Sequence, residues 1–289
     1  MCGIVGLFLK DRSLEPRLGE LLAGMLEVMT DRGPDSAGFA IYGSGDADHV
    51  KLTVRGSDLA GLAAELGVEG TLRDTHLVLS VPRADEDRVR GRLAADHPDC
   101  VVTGAGRRIE LYKEVGLPAD VATRFGLPAM AGTHGIGHTR MATESAVTTD
   151  GAHPFSTGGD QCLVHNGSLS NHRSLRRMLE PEGIAFATDN DSEVAAGYLS
   201  WKLREGASLA EALEASLDDL DGFFTFVVGT ESGFAVLRDP IACKPAVMAE
   251  TDQYVAFGSE YRALVGLPGI ETARVFEPEP ARVYAWERN

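Results

Sequence analysis

A cysteine stands second in the chain, directly ahead of a short run, Gly3 to Leu9, in which Ile4, Val5, Leu7 and Phe8 are apolar. An apolar run of that length reads as a strand buried on both faces. The thiol is therefore placed at the very start of an interior strand. A fold that uses it must bring other parts of the chain to the N-terminus. The alternative is that Cys2 is merely a small apolar residue of that strand, and the motifs downstream have to decide.

A thiol is a weak nucleophile and a thiolate a strong one. With Met1 removed, Cys2 would carry a free α-amine with a pKa of about 7.7–8.0. That amine is partly neutral at pH 7 and can take the thiol proton directly or through one water, so one residue supplies nucleophile and base. Removal of Met1 fits a small second side chain; retention would block the amine.

Leu18, Leu21, Leu22, Met25, Leu26 and Met29 follow at helical spacing. Asp31 to Asp35 breaks that helix at Gly33-Pro34, and Phe39–Tyr42 reads as a second strand. Between about 44 and 130 strand signals (Val50–Val54, Leu77–Val81, Asp99–Thr103) alternate with helical ones (Leu59–Leu66, Asp85–Leu93), which suggests a small α/β insertion. Cys162–His165 reads as a strand ending at the turn signal Asn166-Gly167. Asn171 can cap the next helix, and Asp191 or Ser192 the one after it. Leu209–Leu217 is a further helix. Phe223–Val228, Phe234–Leu237, Ala246–Met248 and Tyr254–Phe257 read as antiparallel strands joined by short turns.

Charge and cysteine usage exclude several classes. Lys and Arg number 27 against 43 Asp and Glu, a net charge of −16. Such an acidic chain lacks the clustered cations that nucleic-acid binding needs. The four cysteines (Cys2, Cys100, Cys162, Cys243) are too dispersed for local metal pairs and too few for a disulfide scaffold. They read as reduced, cytoplasmic thiols. No run reaches the roughly 18 apolar residues of a membrane span, and the start lacks a signal-peptide pattern.

Met1-Cys2-Gly3-Ile4-Val5-Gly6 resembles the opening of class II glutamine amidotransferases, and the resemblance recurs in family order across 1–43 and 132–265. Arg32-Gly33-Pro34-Asp35-Ser36-Ala37-Gly38 resembles the family's R-G-x-D-x-x-G turn at the glutamine pocket. Gly137-His138-Thr139-Arg140-Met141-Ala142-Thr143 resembles its G-H-T-R-x-x-T. Arg140 is thereby implied to hold the substrate α-carboxylate, for which a guanidinium fork is suited, with Thr143 lining the site. His138 reads as structural. His153-Pro154-Phe155 matches a pocket wall. His165-Asn166-Gly167 matches H-N-G, which implies that the Asn166 side chain and Gly167 N–H stabilise an oxyanion. Thr188 to Glu193 matches T-D-[ST]-D-S-E, which implies that Asp191 binds the substrate α-ammonium. Arg238-Asp239-Pro240 and Ser259-Glu260 match structural elements, with a departure from the family at Ala242.

The resemblance implies an α+β fold, the four-layer αββα sandwich of N-terminal nucleophile hydrolases, over 1–289 with the 44–130 insertion within it. It implies catalytic Cys2, Asn166 and Gly167, and substrate-binding Arg32, Arg140, Thr143, His153 and Asp191. No metal or cofactor is expected in this chain. No synthase domain is expected after the last motif, so ammonia would pass to a separate subunit. The insertion and the Ala-Cys-Lys-Pro variant look most like the amidotransferase subunit of N-methylglutamate synthase and its glutamate-synthase-like relatives. FMN and an iron–sulfur cluster would then belong to the partner. A self-sufficient γ-glutamyl amide hydrolase and a non-catalytic interaction subunit are the competing expectations.

Overall fold

The computed structural model describes residues 2–142 and 146–288. In chain order, β1 (Gly3–Leu9) leads to α1 (Leu18–Glu27) and β2 (Ser36–Tyr42). Then come β3 (His49–Arg55), α2 (Leu62–Leu66), β4 (Glu69–Arg73), β5 (His76–Pro82), α3 (Glu86–Asp96) and β6 (Val101–Gly106). β7 (Ile109–Val115), α4 (Pro118–Arg124), β8 (His134–Arg140), β9 (Phe155–Gly158) and β10 (Gln161–Leu169) follow. The last part holds α5 (His172–Leu179), α6 (Asp191–Arg204), α7 (Leu209–Asp219), β11 (Gly222–Gly229), β12 (Gly233–Arg238), β13 (Val247–Glu250), β14 (Tyr254–Gly258), β15 (Arg274–Phe276) and β16 (Tyr284–Glu287).

Two antiparallel sheets face each other. One has the order β15-β13-β14-β1-β8-β2-β7, the other β16-β12-β11-β10-β9. Ile4 and Phe8 from β1 meet Val164, Val227, Phe234 and Val236 of the second sheet in the core between them. Val5, Leu7 and Leu9, on the opposite face of β1, pack instead with α1 residues such as Leu22 and Leu26. The outer face of the second sheet carries α5, α6 and α7 through Leu175, Leu199 and Leu213. The order is helix, sheet, sheet, helix, the four layers expected. β1 is apolar on both faces because it lies in the middle of the stack; each such buried side chain stabilises by about 1.5–3 kcal/mol.

The pairs β11–β12 and β13–β14 fall into different sheets, so the four late strands are two hairpins and not one continuous sheet. Residues 49–106 form a separate four-stranded sheet, β4-β5-β3-β6, with its own apolar core against α2 and α3. β7 belongs to the main sheet, where it pairs with β2. Asp160 ties this strand's entry to the second sheet: its carboxylate accepts the N–H groups of Arg107, Arg108 and Ile109 at 2.6, 2.8 and 3.0 Å.

β10 does not end at Asn166-Gly167. It pairs with β11 without interruption from Cys162 to Leu169. Gly167 has φ +157, and a Cβ there would lie 2.0 Å from the Phe223 carbonyl oxygen and 2.5 Å from His165 Nε2. The glycine serves close approach within a strand, which the reading of Asn166-Gly167 as a turn signal missed. The cap of α6 is also shifted. Asn190 is the N-cap, accepting from Ser192 N–H at 2.9 Å, and Asp191 is the first helical residue. Asn171 occupies the N-cap position of α5, but its side chain bridges Asp219 O and Asp221 N–H and does not cap.

Candidate active site

Cys2 sits where the two sheets converge at the head of β1. The register pairs Gly3 with Thr139 of β8, which sets Arg140 and Met141 beside Cys2. Met141 N–H donates to Cys2 Sγ at 3.4 Å. The turn at 32–38 packs on the same strand end. Gly33 has no room for a side chain, since a Cβ would lie 2.4 Å from the Thr139 carbonyl carbon. Asp35 accepts Ala142 N–H at 2.8 Å. The turn that the resemblance sets at the glutamine pocket therefore also fixes the segment under the thiol.

The Cys2 carbonyl is held from two sides. Arg32 Nε donates to it at 3.0 Å and Asn166 Nδ2 at 3.1 Å. Arg32 Nη1 also bonds Glu260 Oε1 at 2.6 Å. Ser259 exchanges hydrogen bonds with Ile4, accepting its N–H on Oγ at 2.9 Å and donating its own N–H to the Ile4 carbonyl at 2.9 Å. Ser259 Oγ further accepts from Asn166 Nδ2 at 3.4 Å. His138 Nε2 meets Asn166 Oδ1 at 3.2 Å. The Asn166 amide thus has partners on both its ends, all within the Cys2 surroundings.

A cavity of about 300 Å³ opens beside the thiol. Its lining includes Cys2, Arg32, Arg140, His153, Asn166, Gly167 and Asp191, so the structure brings together every sequence-expected site residue except Thr143, which lies outside the described residues. Lys244 and His165 line it as well. Asp191 sits at the N-terminus of α6, where one oxygen accepts Leu169 N–H at 2.9 Å. His165 Nδ1 lies 2.9 Å from Ser192 Oγ and 4.0 Å from Asp191 Oδ1. Buried Arg238 gathers the carbonyls of Ala242 and Lys244 at 2.6 and 2.9 Å, which places the Lys244 loop at the rim.

Electrostatics favour a reactive thiol. Burial alone raises the Cys2 pKa; the neighbouring His138, with the Met141 N–H and the N-terminal charge, outweighs it and brings it from 9.0 to about 7. Burial pushes His165 down to about 4 against the pull of Asp191, and it holds His153 well below the usual imidazole range. Cys162, by contrast, is pushed up to about 12 by burial beside Tyr42. The sequence reading had set His138 aside as structural. Only its distance to Asn166 and its effect on the thiol reveal its place.

Known proteins share much of this sequence. The family model for the glutamine amidotransferase domain matches residues 138–266. The glutamine amidotransferase-like protein GlxB of Rhizobium meliloti is 64 % identical over 99 % of this chain and 98 % of that protein. A putative glutamine amidotransferase of Methanothermobacter thermautotrophicus is 34 % identical over 98 % of this chain and 99 % of its own length. The chain belongs to the class II glutamine amidotransferase family. The fold of this amidotransferase is shared with the solved glutamine phosphoribosylpyrophosphate amidotransferase of B. subtilis, at TM-score 0.64 and 20 % identity. That match covers 99 % of this chain and 47 % of the solved one, so the amidotransferase spans about half of that structure. As an enzyme of this class it carries an N-terminal cysteine nucleophile, and Cys2 stands at that position.

Proposed function

We propose that this chain is a glutaminase subunit that hydrolyses L-glutamine and hands the ammonia to a separate synthase subunit. The observation that carries the reading is the convergence of the Cys2 thiol, the Asn166 amide and Gly167 on one cavity that also contains Arg140 and Asp191. Its volume of about 300 Å³ is at the small end of ligand pockets, which suits an amino acid.

In this reading Arg140 takes the substrate α-carboxylate and Asp191 the α-ammonium, which leaves the side-chain amide facing Cys2. Arg32 and His153 complete the wall. The Cys2 thiol gives its proton to the Cys2 α-amine, once Met1 has been removed, and sulfur bonds to the amide carbon. The oxyanion that forms is stabilised by Gly167 N–H and by Asn166 Nδ2, which gives up its 3.4 Å bond to Ser259 Oγ to reach it. The carbon–nitrogen bond breaks as the α-ammonium returns the proton to the leaving ammonia. Water then attacks the γ-glutamyl thioester, releasing glutamate and restoring the thiol.

Ammonia set free in water would be protonated and lost as a nucleophile, which is the chemical reason for a docked acceptor. The Ala242-Cys243-Lys244-Pro245 variant and the 44–130 insertion motivate an acceptor of the N-methylglutamate synthase or glutamate-synthase-like kind. The decisive experiment compares glutamate release by the purified protein with that by Cys2→Ala. Activity confined to the wild type is expected; equal activity in both would sink the mechanism. Co-purification with the products of neighbouring genes tests the partner.

A further inference from the structure

Lys113 lies in the middle of β7, only 6 % exposed, and has no part in the chemistry above. Its ammonium donates to three carbonyls of one segment: Ala152 at 2.9 Å, Asp150 at 3.2 Å and Pro154 at 3.4 Å. It also lies 4.4 Å from the centre of the Phe155 ring. Among the described residues no carboxylate comes within ion-pair range of it. The Asp150 carboxylate is taken by Arg55, and Glu193 accepts the N–H groups of Ala187 and Thr188. Burying an ammonium costs several kcal/mol unless its protons find acceptors. Here all three do, and all three acceptors flank His153.

The surroundings of His153 explain what such a clamp achieves. Both ring nitrogens of His153 are buried with no hydrogen-bond partner among the described residues, so no such bond from them fixes the ring. The ring stacks on His138 with centroids 4.1 Å apart, and His138 in turn meets Asn166 Oδ1 and acts on the Cys2 thiol. The backbone of His153 presses on Gly38, which faces Lys113 across the β2–β7 ladder. A Cβ on Gly38 would lie 2.1 Å from the His153 carbonyl oxygen and 2.6 Å from Lys113 Cβ. Gly38 leaves the gap, and Lys113 fills its far side.

We propose that Lys113 is a positioning residue for the glutamine pocket, gathering the carbonyls of 150, 152 and 154 so that the His153 wall is held against His138. The assignment rests on the glutaminase reading of the site. Burial lowers the lysine pKa to about 8, with Asp150 and Glu193 opposing and Arg55 assisting. The group is therefore charged at neutral pH.

The experiment pairs Lys113→Met with two readouts. Hydrogen exchange of the 150–156 amides reports positioning without any substrate, because local opening sets the rate. At least about tenfold faster exchange in that segment, with α6 unchanged, is expected in the variant. Steady-state kinetics should show KM for glutamine raised about tenfold with kcat within about threefold, the pattern of lost substrate binding. A variant that only unfolds would lower kcat and leave KM where it was. Lys113→Gln keeps two donors without the charge and stands in if the Met variant does not fold; its values should fall between. Unchanged exchange overturns the clamp. Faster exchange with unchanged KM overturns its role in the glutamine pocket. A wild type without glutaminase activity refutes the substrate reading, and exchange still decides the clamp.

Discussion

The lowered Cys2 pKa has a consequence that alkylation can measure. A shift from 9.0 to about 7 corresponds to about 3 kcal/mol of preference for the thiolate. Because a thiol is an acid, the lowered value means that the thiolate is half populated near pH 7. At that pH an ordinary thiol of pKa 9.0 would be only ~1 % thiolate. The roughly fiftyfold gain in population is partly cancelled, since nucleophilicity falls about eightfold over two pKa units at a Brønsted slope near 0.45. Wild-type Cys2 should therefore react with iodoacetamide about sixfold faster at pH 7 than an unperturbed thiol. His138→Gln removes the two leading favourable causes. Burial is then opposed only by the Met141 N–H and the N-terminal charge, and the thiol pKa moves back up toward 9.0. The two rate profiles should cross near pH ~8, with the variant faster by severalfold at pH ~10 because its thiolate is the stronger nucleophile. Peptide mapping by mass spectrometry separates Cys2 from Cys243, which is exposed, and from Cys162, which is buried. Profiles that overlay, or a wild-type midpoint near 9, would refute the reasoning.

Asn166→Ala should lower kcat by about 10²–10³, with a thermal unfolding midpoint close to that of the wild type; an unaltered kcat removes Asn166 from the oxyanion role. Asp191→Asn should raise KM for glutamine while leaving the rate of Cys2 alkylation unchanged, and a change in alkylation with constant KM would reverse that assignment. Asp160→Ala strips three backbone N–H groups of their acceptor and should cost about 2–4 kcal/mol in urea unfolding, without altering KM. Loss of less than about 1 kcal/mol would mean that water replaces the carboxylate at no cost.

The legible parts of this molecule are those in which one residue type has one physical use. The β1 run is apolar on both faces because it lies between a helical layer and a second sheet, and that burial leaves a direct trace in composition. Cys2, Arg140 and Asp191 are recognisable because thiol, guanidinium and carboxylate are chemically specific, and the family pattern sets them in order. The strand end placed at Asn-Gly failed because the ordinary use of that pair, a turn, is the commoner one. Here the strand continues, with the glycine meeting the Phe223 carbonyl and the asparagine turned to Cys2. The caps went wrong for a related reason. Asp, Ser and Asn are interchangeable as N-caps by propensity, and only the fold shows that Asn190 caps while Asp191 is left to line the pocket.

His138, Ser259 and Lys113 mark a different limit. Each acts through a neighbour: His138 on the thiol and the Asn166 amide, Ser259 on Ile4 and Asn166, Lys113 on the carbonyls around His153. These partners are 28, 255 and 39 residues away in the chain, too far for any local period to register. Lys113 even sits inside a stretch whose helix–strand alternation suggested an insertion, yet its strand belongs to the main sheet. A lysine among apolar strand residues would pass as a solvent-facing position of that strand. What sets it apart is the absence of a carboxylate partner among the described residues, combined with three carbonyls from one segment. An ammonium held in that way orders the backbone that supplies the carbonyls. The pocket wall at His153 therefore depends on a charge outside the residues that the family motifs pick out.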